Sequence, residues 1–142
     1  DPMTTAAAID RVVHHSVILD LTSMDSVLAS LAASGITVLN ASGDTGSTCL
    51  SGAPNTIGVP AGSPHATAVG GSSYTWGPAP LYTGTERWWN GAASNPPTGQ
   101  GGFGVSRHYA RPAFQSGFTA SSFRSIPDVV AAADPVTNAH RG

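Results

Sequence analysis

The chain has 142 residues, 40% of them hydrophobic and only 10% charged, with a net charge of −2. That length suits one domain with its own core and leaves little room for two. The apolar content excludes a disordered chain, and the lack of basic excess excludes an electrostatic footprint for nucleic acid.

Every cation is an arginine; there is no lysine. Low charge density with abundant Gly, Ser, Thr, Ala and Pro suits a secreted or acid-exposed protein. Cys49 stands alone, so it closes no intrachain disulfide and reads as a small apolar residue. No apolar run approaches a membrane span, so no membrane partner is expected. The opening Asp1-Pro2-Met3-Thr4-Thr5 has neither the charged nor the apolar region of a signal peptide.

In chain order, Ala6 to Val13 reads as a helix capped by Thr4 or Thr5, and Ser16 to Leu21 as a strand. A second helix starts at Thr22 or Ser23, carries Val27, Leu28, Leu31 and Ala32 at helical spacing, and stops at Gly35. Ile36 to Asn40 then forms a β-branched, apolar strand of the kind buried on both faces. Strand–helix–strand order implies a parallel pair with a right-handed crossover. Ser63 to Gly71 reads as a short strand ending in a glycine pair. The stretch holding Trp76, Tyr82, Trp88 and Trp89 reads as a hairpin, and Asn90 to Gly102 as a surface loop. Arg111 to Gln115 is a loop entering a helical turn, and Ile126 to Pro135 an apolar segment between two acid-bearing turns.

The stretch Ser42-Gly43-Asp44-Thr45-Gly46-Ser47 breaks the strand with small residues and presents one carboxyl group, Asp44. An acid at the carboxyl end of a parallel strand sits where open α/β sheets place their ligands. The same acid also serves as a plain turn former bonded to nearby backbone. There is no metal-ligand cluster: His14 and His15 are adjacent and point to opposite faces of a strand. Phosphate loops and Gly-x-Ser-x-Gly elbows are absent.

Four segments together resemble the sedolisin (serine-carboxyl) peptidases. Ala33 to Gly46 is similar to their strand and Gly-Asp-Ser-Gly turn, and Val59 to Gly71 to the Phe-Pro-Ala segment that follows. Gly101 to Ser106 with Arg111 to Gln115, and Arg124 to Val129 with Ala133 to Thr137, match two later segments in the right order. The resemblance implies an α/β, subtilisin-like fold: a mostly parallel sheet with flanking helices, incomplete here. It makes residues 1–142 the central part of a single catalytic domain. It implies acid-acting, serine-type endoproteolysis of a peptide or protein, in a secreted or otherwise acidic setting. Asp44 then takes the place of the oxyanion-hole acid, with Ala41, Ser42 and Gly43 walling the primary specificity pocket. A carboxyl donates a hydrogen bond only while protonated, so this role needs acid or a site that holds the proton on. Asp128 and Asp134 are left as loop-fixing acids that accept backbone N–H groups.

The chain departs from the family in what it lacks. No Gly-Thr-Ser nucleophile motif occurs, the only glutamate is Glu86, downstream of Asp44, and no upstream Glu/Asp pair is present. The calcium that the family implies has its site near the carboxyl end of the domain, and that region has no counterpart here. Gly58 stands where many members carry an acid, and Phe103 interrupts the glycine run. The expected partners are therefore the substrate and the missing halves of the same domain. Two other classes remain open: a degenerate, non-catalytic peptide-binding domain, and a structural α/β domain.

Overall fold

Helix α1 (22–33) ends where Gly35 adopts φ 75°, a backbone angle open to glycine. Gly35 N–H donates to the Ala32 carbonyl and Ile36 N–H to the Leu31 carbonyl, the paired bonds of a Schellman cap. The computed structural model describes residues 22–48, 55–74, 86–91 and 99–135. The expected helix over 4–13, the strand over 16–21 with its crossover, Cys49, Trp76 and Tyr82 lie outside the described residues. Among the described residues no helix is long and apolar enough to cross a membrane.

The strands are β1 (Leu39–Ala41), β2 (Thr67–Tyr74), β3 (Glu86–Trp88), β4 (Gly104–Ala110), β5 (Phe123–Ile126) and β6 (Val129–Ala132). Strand β2 is the hub. Its Val69 and Gly71 carbonyls accept from Ser42 and Trp89, while its Ala68 and Ser72 carbonyls accept from Asp128 and Ala133. Successive carbonyls of a strand point to opposite edges, so β1 and then β3 share one edge of β2, and β6 takes the other. The β1 and β6 pairings are parallel and the β3 pairing antiparallel. β4 and β5 form a separate antiparallel ribbon with an irregularity between Val105 and Ala110.

Several expectations change here. The glycine pair Gly70-Gly71 does not end β2 but lies in its middle. A Cβ on Gly70 would come 2.6 Å from Pro127 Cγ, and one on Gly71 would come 2.9 Å from both Ala133 Cβ and the Trp89 ring. The glycines are there because neighbouring side chains occupy the space, not because the chain turns. β3 pairs antiparallel with β2, whereas the hairpin expected in the stretch from Trp76 to Trp89 falls mostly outside the described residues, and the apolar segment after Asp128 is strand β6. The 3₁₀ turn Ala113–Gln115 is the expected helical turn. The ladder of β1 begins only at Leu39, and the strand is not buried on both faces. Leu39 is 67% exposed, and all four residues of β6 are exposed. On the face that holds Leu39, Val69 and Ala131, Leu39 and Ala131 are exposed and Val69 is half-buried.

Among the described residues one buried apolar cluster joins Ala61, Ala68 and Ile126, with Ile57 against them. A polar clip supplements it. Arg124 is fully buried and pairs with Asp128 at 2.5 Å and 2.6 Å. It also donates to the Ser63 and Ala66 carbonyls. Asp128 accepts the Ala68 N–H at 2.8 Å and the Gln115 amide at 3.0 Å. One acid thus ties β2, the 3₁₀ turn and the β5–β6 connection together. Burial pushes its carboxyl up, but the Arg124 hydrogen bonds, the Ala68 N–H, the guanidinium charge and the Gln115 amide outweigh that. The net effect holds it below the ordinary carboxylate range. Asp134 is buried and accepts the Ser73 hydroxyl at 2.7 Å.

Candidate active site

The site grows out of the end of β1. Ser42 N–H still donates to the β2 carbonyl of Val69 at 2.8 Å, and then the chain turns. Gly43 has φ 116° and Gly46 φ 61°, backbone angles that side-chain-bearing residues adopt only under strain. The turn does not stand alone. Residues 99–103, the first four of which end the expected surface loop, run beside it and are zipped to it. Gln100 N–H donates to the Asp44 carbonyl at 2.8 Å, and Gly46 N–H to the Gln100 carbonyl at 3.2 Å. Gly102 N–H donates to the Gly43 carbonyl at 2.7 Å, and the Ser42 hydroxyl to the Gly102 carbonyl, also at 2.7 Å. A Cβ on Gly102 would overlap the Ser42 carbonyl oxygen, so the two backbones approach this closely only with glycine at that position. The glycine run at 101–102 was the available signal of this close approach. It was obscured because glycine-rich stretches also read as loops.

Asp44 follows, exposed, with its main chain fixed by Gln100. No described residue hydrogen-bonds its carboxylate, so the side chain is not the bond-forming part of the turn. It opens onto two recesses. The first, about 280 Å³, is lined by Leu39, Ala41, Gly43 and Asp44 on one side and by Val69, Trp89 and Ala131 to Ala133 on the other. The second, about 380 Å³, is lined by Asp44, Thr45, Ser47, Thr48, Gln100 and Phe103. Of the residues expected at the site, Ala41, Gly43 and Asp44 therefore share one recess. Ser42 is 5% exposed and its hydroxyl is spent inward, leaving its backbone as its contribution.

The other titratable groups lie elsewhere. Asp25 on α1 accepts the buried Ser63 hydroxyl at 2.6 Å. Burial, the Asp25 charge and a hydrogen bond to Asp25 push the Tyr109 hydroxyl up. His65 and His108 are exposed, as is Glu86 on β3. Among the described residues no three His, Cys, Asp or Glu side chains come together to hold a metal.

No family model matches the chain. Kumamolisin from Bacillus sp. (strain MN-32) is 34% identical along an alignment 128 residues long that covers 82% of this chain and 22% of kumamolisin. Among solved structures, Pseudomonas sedolisin, a serine-carboxyl proteinase in complex with two molecules of pseudo-iodotyrostatin, superposes with a TM-score of 0.74 at 31% identity. That match covers 88% of this chain and 36% of the sedolisin chain. The chain thus spans about a fifth of the curated relative and about a third of the solved one. In sequence and in fold the chain resembles a fragment of a sedolisin-family serine-carboxyl peptidase, with the subtilisin-like α/β fold of that family.

Proposed function

We propose that residues 41–44 are the oxyanion-hole turn, and part of the primary specificity wall, of an acid-acting serine endopeptidase that cleaves peptides or proteins. Its serine nucleophile and Glu/Asp pair would come from outside these 142 residues. The observation that carries this reading is the Asp44 carboxyl: exposed over the recesses, without a described hydrogen-bond partner, on a main chain that Gln100 and Gly102 hold in place. Acyl transfer builds negative charge on the scissile carbonyl oxygen, and a preorganised donor stabilises it. A protonated carboxyl is such a donor and an ionised one is not. That requirement suits an acidic working environment, in a secreted protein or an acidic compartment, or a site that holds the proton on.

The reading has a pH signature. In the full-length protein, Asp44→Asn keeps an N–H donor that does not titrate. Its kcat is expected to persist at pH values where the parent enzyme has lost activity, with a lower maximum in acid. The measurement is kcat against pH for both forms; superimposable alkaline limbs would show that the proton on Asp44 plays no part. The 142 residues contain no Gly-Thr-Ser nucleophile motif from which acyl transfer would start. The chain by itself is expected to show no peptidase activity at about pH 3–5, where carboxyls of ordinary pKa begin to hold their protons. Pepstatin-insensitive cleavage by the purified chain would overturn that expectation.

A further inference from the structure

We propose that Trp88 is a positioning residue for the Asp44 turn, acting on it through the glycine strip 99–102 and Phe103. The inference rests on the oxyanion reading of Asp44. A donor to the developing charge must stand in one place, since a misplacement of about 1 Å can cost about 10²-fold in rate. Yet the strip that holds the turn is built on Gly99, Gly101 and Gly102, and glycine has the least restricted backbone of any residue. Such a strip fixes a turn only if something on its other side fixes the strip.

The strip uses its two sides differently. The Gln100 and Gly102 N–H groups donate to the turn, at the Asp44 and Gly43 carbonyls. Gly101, between them, bonds the end of β3 instead. Its N–H donates to the Trp89 carbonyl at 2.8 Å, and its carbonyl accepts the Trp88 indole N–H at 3.0 Å. The first of these bonds is main chain and forms with any side chain present; the second needs the indole. The same indole meets the Phe103 ring edge to face, with centroids 5.2 Å apart and planes at 90°. Phe103 in turn reaches the far end of the turn. Its N–H donates to the Gly46 carbonyl at 3.2 Å, and its Cε1 lies 3.7 Å from where a Cβ on Gly46 would stand. Trp88 therefore grips the strip on both sides of Gly102, the residue bonded to Ser42 and Gly43. Trp88 itself is anchored, opposite Ser72 of the hub strand β2. At 43% exposure it lies outside the buried apolar cluster, so truncating it leaves that cluster intact.

The experiment is a double-mutant cycle in the full-length protein, read as kcat and KM in acid on one peptide substrate. Thermal melts set an assay temperature at which every form is folded. Trp88→Ala is expected to lower kcat on the order of tenfold, short of the loss from a full misplacement, with KM within about twofold of the parent. Trp88→Phe keeps a ring against Phe103 and loses only the indole N–H, so its kcat is expected between those of the parent and Trp88→Ala. In the Asp44→Ala background, Trp88→Ala is expected to lower kcat by less than about twofold, because the group it positions is gone. A merely structural role lowers kcat equally in both backgrounds, and that result overturns the proposal. Parent-level kcat in Trp88→Ala overturns it as well. In both cases an Asp44→Ala form with depressed kcat leaves the oxyanion reading standing. An Asp44→Ala form that turns over like the parent sinks the oxyanion reading, and the positioning role falls with it.

Discussion

In the full-length protein, Asp44→Ala is expected to lower kcat by about 10²–10³-fold and to leave KM near the parent value, if Asp44 is the oxyanion-hole donor proposed above. The hydrogen bond at stake forms to the charged oxygen of the transition state, not to the neutral carbonyl of the bound peptide, so the loss falls on kcat. The structure makes this test clean. No described residue bonds the Asp44 carboxylate, and the turn is held by main-chain bonds from Gln100 and Gly102 and by the Ser42 hydroxyl. Removing the carboxyl therefore leaves the turn standing, and the melting temperature is expected to stay within about 1–2 °C of the parent, the range of a neutral surface substitution. Steady-state kinetics in acid, with a thermal melt as control, check both halves. A rise in KM with kcat intact would make Asp44 a ground-state contact instead.

Asp128→Ala destabilises the protein by about 3–5 kcal/mol near neutral pH, because it leaves the fully buried Arg124 guanidinium without its counter-charge. It also strips the Ala68 N–H and the Gln115 amide of a common acceptor. The melting temperature is expected to fall by on the order of 10 °C. The pH dependence has a definite sign. The folded state holds the Asp128 carboxyl below its ordinary value, so its contribution is complete above the unfolded value of about 3.9. It is lost only as the pH falls below that value and on through the lower, folded one. The melting curves of parent and variant should therefore converge below about pH 4. The double variant Arg124→Met, Asp128→Ala is expected to cost less than the sum of its parts, since it leaves no unpaired charge. Equal melting temperatures at neutral pH would show that the clip carries no stability. A pair that stays ionised into acid also suits a protein that works there, which links this clip to the proposed chemistry.

The sequence by itself determined the local pieces. Gly35 marked the end of α1, because the left-handed angle needed there favours glycine. The β-branched run before Asn40 and the small residues of 42–47 marked a strand running into an acid-bearing turn. The order of four short segments was enough to name the family that the comparisons support. Asp128 was legible as an acceptor of backbone N–H, and does accept one from Ala68. What these features share is short range: each depends on neighbours within a few residues.

The tertiary structure alone decided the rest, for one physical reason: close approach between distant segments leaves only ambiguous marks on composition. Gly70-Gly71 reads as a stop, yet β2 runs through it because Pro127, Ala133 and Trp89 fill the space. Gly101-Gly102 reads as loop, yet its lack of Cβ atoms lets it lie against Ser42 and Gly43 and fix the turn. Nothing in the sequence around Arg124 signals its burial, which Asp128 and the Ser63 and Ala66 carbonyls compensate. Apolar runs read as buried strands, yet Leu39, Val129 and Val130 face the open, because burial depends on what packs above a strand and not on the strand's own residues. Asp44 itself shows the division most clearly. Its position at a strand end was written in the sequence, but that its carboxyl stands unpartnered between two recesses was decided by residues 99–103 and 131–133, which fold back around it.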